Sequence, residues 1–294
     1  MKIDLQIHTT YSDGEHTPKE IAALACEGEL NVISVTDHDR VDSYEEVREA
    51  CEAFGIQAIP GVEISTTYNG RPLHILGYGI DVKNTELVSF LKGINEFRKN
   101  AFIERFPILN ENLRKAGKQE ADVEKFRNLD ARYYSGPGVA EFLFKQGVTQ
   151  TKGEGFLYFK GMKGTVPPVE PKDAIFVIHK AGGKAILSHP FAPKISLFEI
   201  TADKSEQEAM IALFKEQGLD GLECYQAGHN EENVAFCLDL AKKYNLSITA
   251  GSDWHGYHLD PNDPIRDYLP YYIAKLGDLL VPEDKTEEII KNIT

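Results

Sequence analysis

Seven short runs rich in β-branched and apolar residues recur along the chain. They lie near Lys2 to His8, Asn31 to Thr36, Gln57 to Ile64, Leu73 to Tyr78, Lys184 to Ser188, Leu219 to Cys224 and Ser247 to Gly251. Helical patterns are interleaved with them at Thr17 to Glu27, Ser43 to Phe54, Pro171 to Lys180, Ser205 to Gln217 and Glu231 to Tyr244, with a last one at Glu283 to Asn292. This alternation is the sign of βα units around a parallel sheet. A length of 294 residues admits one large α/β barrel or two ordinary domains. Thr17 before Pro18, with Glu20 three residues on, makes a capping box with proline at the first helical position and so sets where the first helix begins.

The alternation breaks between about Asn84 and Pro171, where Leu87, Phe90, Leu91, Ile94, Phe97, Ala101 and Phe102 recur at helical spacing. Pro107 is expected to kink or end that helix, because it removes a backbone donor and its ring collides with the preceding turn. Ala140, Phe142, Leu143 and Phe144 predict a shorter helix later. The reading is a distorted seven-stranded α/β barrel over 1–95 and 170–294, with an inserted small helical subdomain over 96–169.

Composition narrows the function classes. With 32 basic and 46 acidic residues the formal charge is −14, which opposes binding to a long nucleic-acid backbone, although bound divalent ions would reverse the field locally. Cys26, Cys51, Cys224 and Cys237 lack CxxC spacing and read as buried reduced thiols. No run approaches the roughly 18 apolar residues of a membrane span and no signal peptide is visible, so a cytoplasmic location is expected.

The polar residues at the ends of the runs carry the chemistry. His8 with Asp13, then His38, Glu63, His189, and Asp253 with His255 follow successive strands, while His74 stands at the start of its run. The carboxyl ends of barrel strands meet at one face, so these residues can converge. A lone histidine at a strand end is more often an ordinary hydrogen-bonded residue, but a whole series of such placements points to metal ligation. His16, His179, His229 and His258 have no such setting and read as surface or supporting residues, His229 lying nearest the mouth. Mixed imidazole and carboxylate ligands suit Mn, Zn or Fe better than Mg. Ions about 3.5 to 4 Å apart can acidify a water, hold a phosphoryl group and stabilise a leaving oxygen, so phosphate-ester hydrolysis is the expected reaction.

The segments DLQIHTTYSDG, TDHD, GVEIS followed by HILGYGID, SHP and GSDWH resemble, in order, the motifs of the polymerase and histidinol phosphatase (PHP) family. The resemblance covers most of residues 1–95 and 170–258 and extends to its small phosphoesterases, including nucleotide phosphatases and exoribonuclease-like members. It implies a distorted seven-stranded barrel and two or three divalent ions. By motif, His8, Glu63 and Asp253 would hold the first ion, and Glu63 would bridge to a second held by His74 and His189. Asp13, His38 and His255 would hold the third and serve catalysis, with Asp39 orienting a ligating imidazole. A hydroxide bridging the ions would be the nucleophile.

Two departures stand out. The first motif of the family usually reads HxH, and here Gln6 replaces its first histidine. Strand alternation keeps residues 6 and 8 on one face, so Gln6 is a candidate weak ligand or a holder of water. The stretch Ser135 to Phe144 lacks the basic groups that related nucleotide phosphatases carry there, which leaves Lys160 and Lys163 as candidate phosphate contacts. Residues 95–132 hold nine Lys or Arg against seven Asp or Glu, weak support for a substrate-facing lid. The leading expectation is hydrolysis of a small, nucleotide-like phosphate monoester. The alternatives are a 5′→3′ exonuclease on short RNA or DNA and a degenerate metal-binding regulatory protein.

Overall fold

A computed structural model describes residues 1–256 and 275–294, so His258 lies outside the described residues. The strands are β1 (Ile3–Ile7), β2 (Val32–Val35), β3 (Gln57–Tyr68), β4 (Arg71–Tyr78), β5 (Lys184–Leu187), β6 (Gly221–Gln226) and β7 (Ser247–Gly251). They form one seven-stranded sheet in the order β1-β2-β3-β4-β5-β6-β7. The His8 amide donates to Trp254 O at 2.9 Å and the Trp254 amide to Gln6 O at 3.3 Å. The chain after β7 thereby pairs with β1 and nearly closes a barrel.

The sheet is mixed, not wholly parallel as the alternation suggests. β4 runs antiparallel to both β3 and β5. The cause is local: Asn69 and Gly70, with φ of 50° and 75°, form a two-residue turn that pairs Tyr68 with Arg71. An Asn-Gly pair with both residues at positive φ is a strong hairpin signal. Reversing β4 puts its beginning at the rim where the other strands end, which is why His74 heads its run.

Helices α1 (Pro18–Glu27), α2 (Tyr44–Glu52), α6 (Pro171–Lys180), α7 (Lys204–Glu216), α8 (Glu231–Tyr244) and α9 (Glu283–Ile293) belong to the barrel part of the chain. Thr17 caps α1 with the full reciprocal box. Cys51, Cys224 and Cys237 are buried, but Cys26 is exposed on the outer side of α1. No helix among the described residues is long and apolar enough to cross a membrane.

Between β4 and α6 the chain forms α3 (Thr85–Lys115), α4 (Val123–Arg127) and α5 (Gly136–Lys145). Leu87, Leu91 and Ile94 of α3 join the barrel core, whereas Phe102, Phe106, Leu109 and Leu113 join a second core centred on Phe126. Pro107 does not end α3. It sits on the exposed side, where water can satisfy the carbonyl it leaves without a partner, while Phe106 and Leu109 anchor the helix on either side.

The barrel interior is polar beneath its rim: Asp4, Gln6, Ser34, Thr36, Glu223 and Thr249 are all buried. Burial raises the Asp4 carboxyl to about 6, against hydrogen bonds from Ser252 and the Gln6 amide that favour the anion. A carboxyl raised in the folded state favours folding most below its unfolded value, and that stability is lost as pH rises through the folded value. Metal-free protein should therefore lose up to about 3 kcal/mol between pH 4 and 7 through Asp4. Asp4→Asn should flatten that slope in chemical denaturation, and parallel wild-type and variant curves would refute the assignment.

Candidate metal centre

The loop after β1 is folded back on the strand. A Cβ at Gly14 would lie 2.2 Å from His8 O, so only glycine fits this approach. Asp37 ties the loop down: it accepts from the Thr9 amide at 2.8 Å, Thr9 Oγ1 at 2.8 Å, Ser12 Oγ at 2.6 Å and Ser43 Oγ at 2.6 Å. His8 and Asp13 are thereby held at the rim beside His38. The sequence reading gave Asp37 no role, although a buried carboxylate amid Thr9, Ser12 and Ser43 is an expected loop anchor.

Glu63, wholly buried on β3, is the centre of the cluster. Its Oε1 lies 2.8 Å from His74 Nδ1 and 3.2 Å from His189 Nε2. Its Oε2 lies 3.0 Å from His8 Nε2 and 3.6 Å from His38 Nδ1. His8 Nε2 is also 3.1 Å from Asp253 Oδ1, and His255 Nε2 is 3.3 Å from Asp13 Oδ1. The His8 and His255 rings stack at 4.1 Å. Among the described residues, three groups bring donor atoms within 4.8 Å of one another: His8, Glu63 and Asp253; His38, Glu63 and His74; and His8, Asp13, His38 and His255. All eight ligand candidates gather at one rim. His38 stands between the second and third groups, and His189 reaches the second through Glu63.

The electrostatics suit cations. Burial would raise Glu63, but His74, His38 and His189 hold it well below the usual carboxylate range. Burial is likewise outweighed at Asp13 by His38, His255 and His8, so Asp13 is also held low. Burial lowers His38 to about 4, leaving a neutral imidazole. At His8 burial is overcome by Asp253 and Glu63, and the ring is held well above its ordinary value. His189 and His255 are raised against burial by the neighbouring carboxylates. His8 Nε2, His38 Nδ1 and Glu63 Oε2 are buried yet aligned with no hydrogen-bond partner. Close approach without hydrogen-bond alignment is what lone pairs converging on a cation produce, so the residues fit divalent ions.

The supporting residues differ in part from expectation. Asp39 touches no imidazole in the observed contacts. Its Oδ1 accepts from the Ser65 amide at 2.8 Å and its Oδ2 pairs with Arg98 Nη2 at 3.3 Å, while Arg98 also donates to Ser65 Oγ. Asp39 therefore positions an arginine of α3. Lys160 and Lys163 are exposed and do not line the cavity over the cluster; their carbonyls accept from Asn112 and Arg105. The basic groups lining that 260 Å³ cavity are Arg98 and Lys194, and Phe102 and Phe156 of the insertion form apolar wall. His229 is half-buried and braces the loop behind His189: its Nε2 accepts from the Phe191 amide at 3.1 Å and its Nδ1 donates to Cys224 O at 3.0 Å. Glu223 accepts from the His189 amide at 2.9 Å. His179 pairs with Asp220, and His16 packs on Trp254.

His8, His189 and His255 are raised, so ions must displace protons from them, and metal affinity should rise with pH above the ordinary histidine range. Calorimetry in buffers of different ionisation enthalpy should show proton release on metal binding near neutral pH. Buffer-independent heats would contradict this electrostatic description.

Known proteins resemble this chain. The PHP domain description matches residues 4–127. A 5'-3' exoribonuclease of Haemophilus influenzae is 31% identical, covering 86% of this chain and 90% of that protein. A 3',5'-nucleoside bisphosphate phosphatase of Chromobacterium violaceum is 28% identical, covering 86% of this chain and 87% of that protein. A solved structure from Bifidobacterium adolescentis matches with a TM-score of 0.73 at 24% identity, over 99% of this chain and 96% of that one, and shares the fold. The motifs, the converged ligands and these relatives agree, and the chain belongs to the PHP family of metal-dependent phosphoesterases.

Proposed function

We propose that the chain hydrolyses a phosphate monoester on a small nucleotide-like metabolite, using two or three ions of Mn, Zn or Fe held by His8, Asp13, His38, Glu63, His74, His189, Asp253 and His255. The observation that carries this reading is the 260 Å³ cavity, whose lining joins six of those residues to Arg98, Lys194, Phe102 and Phe156. Its size suits a small ligand. Bound divalent ions would supply Lewis acidity, an acidified water and charge neutralisation at the leaving oxygen.

The residues of the chain do the positioning. Asp39 and Ser65 hold Arg98, so its planar guanidinium is ordered before a phosphate arrives. Phe102 and Phe156 offer apolar surface for the rest of the ligand and keep water from that side. Asp13 and Glu63 stay ionised, and His38 stays neutral, across the physiological range. We read the insertion as a substrate lid, because Arg98, Phe102 and Phe156 all come from it or from its first helix.

A second reading, 5′→3′ cleavage of short RNA, is favoured by the relative named an exoribonuclease and by a small cleft beside Asp13 and His38 that Arg40, Arg98 and Arg132 line. Inorganic phosphate released from a 3′,5′-nucleoside bisphosphate or a mononucleotide supports the first reading. A ladder of mononucleotides from a labelled oligomer supports the second. Metal binding with no turnover of any ester would support the regulatory alternative.

Arg98→Ala should lower kcat/KM for the phosphorylated substrate by roughly 10- to 100-fold, the loss of a charged hydrogen bond worth about 1.5–3 kcal/mol. Metal content should be unchanged. An unaltered kcat/KM would remove Arg98 from the substrate site.

A further inference from the structure

Gln6 is wholly buried on β1, two residues before His8 and on the same inward face. Both donor positions of its amide nitrogen are used: Nε2 donates to Glu63 Oε1 at 3.0 Å and to Ser188 Oγ at 3.0 Å. Ser188 Oγ donates onward to the same Glu63 oxygen at 3.0 Å. This arrangement fixes the orientation of the amide, because turning it over would set its oxygen against the Glu63 carboxylate. The Gln6 oxygen is buried and accepts no hydrogen bond from the described residues.

Carboxylates crowd the Gln6 side chain. A Cβ at Gly251 would lie 2.4 Å from Gln6 Cβ and 2.5 Å from Glu223 Oε1, so the Glu223 carboxylate stands against the stem of Gln6, and Glu223 Oε1 has no hydrogen-bond partner among the described residues. On the rim side stand Glu63 and Asp253, which meet at His8 Nε2. A buried amide oxygen among carboxylates is best satisfied by a cation.

We propose that Gln6 Oε1 is the fourth protein donor to the first ion, beside His8 Nε2, Glu63 Oε2 and Asp253 Oδ1. The inference rests on the metal-centre reading and deepens it. The first site then offers one nitrogen and three oxygens, whereas each of the other two donor groups contains at least two imidazoles. Oxygen-rich sites favour harder ions, and imidazole-rich sites favour zinc. The centre is therefore selective by position: the first site holds a larger share of Mn2+ relative to Zn2+ than the other sites do. Gln6 also keeps Glu63 Oε1 turned towards His74 and His189, so one side chain serves two sites.

The test is to strip the full chain with chelator, reload it with equal Mn2+ and Zn2+, and locate each metal by anomalous scattering on either side of its absorption edge, with elemental analysis of the same sample. The expected result is a higher ratio of manganese to zinc at the first site than at the others, with the first ion bonded to Gln6 Oε1. Gln6→His should fill the first site with zinc and lower its manganese occupancy at least tenfold. Gln6→Leu should lose the first ion and retain the rest. Equal metal ratios at every site, or a first ion with the Gln6 oxygen outside bonding distance, would overturn the proposal while leaving the metal centre intact. No bound ion at any site would overturn the metal-centre reading itself. The wild-type measurement stands even if a variant fails to fold.

Discussion

The site depends on one carboxylate. Glu63 is placed by β3 at the barrel rim with no solvent access, and its two oxygens divide the surrounding imidazoles into two sets. Oε1 meets His74 and His189, while Oε2 meets His8 and His38. An ionised carboxylate in such a place is costly unless it is paired. The histidines offset that cost, and Gln6 and Ser188 hold the group in orientation. Divalent ions between these donors would carry the same charge complementarity in place of protons. Binding, folding and proton release are therefore coupled at this residue.

Around Glu63 the backbone is bent to aim side chains. Asp39, His189 and Asp253 have φ of 53°, 29° and 56°, a left-handed conformation that non-glycine residues adopt at a cost. Each bend is held by an identifiable contact nearby. The Asp39 amide donates to Glu63 O, the His189 amide to Glu223, and the Ser252 amide, next to Asp253, to Asp4. Polar residues inside the barrel thus serve the rim: Asp4 and Glu223 are buried at some cost because they fix the loops that present ligands. Helix α3 and the segment after α5 add Arg98, Phe102 and Phe156 over the cluster.

The barrel and the convergence of the candidate ligands at one rim were legible because both follow from pattern. Strand periodicity and strand-end chemistry are properties of neighbouring residues, although β3 runs on to Tyr68 and leaves Glu63 in mid-strand. What was missed depends on contacts distant in sequence. The reversal of β4 was encoded in Asn69-Gly70, a signal that the reading passed over in favour of uniform βα units. Asp39 follows a ligating histidine and invites a role beside it, yet its partners, Ser65 and Arg98, lie on β3 and α3. Lys160 and Lys163 drew attention as a basic pair near the return to the barrel, whereas the cavity recruits Arg98 and Lys194 from elsewhere. Pro107 lies on the exposed side of α3, and that exposure cannot be read from proline alone.

The central claim is that esterase activity resides in ions held around Glu63. Phosphate release from a 3′,5′-nucleoside bisphosphate, followed while Mn2+ is titrated into chelator-stripped protein, tests it most directly. The account predicts no turnover in stripped protein and a rate that rises with bound ion and levels off at site saturation. Turnover unaffected by chelation, or a rate that does not follow bound ion, would contradict it.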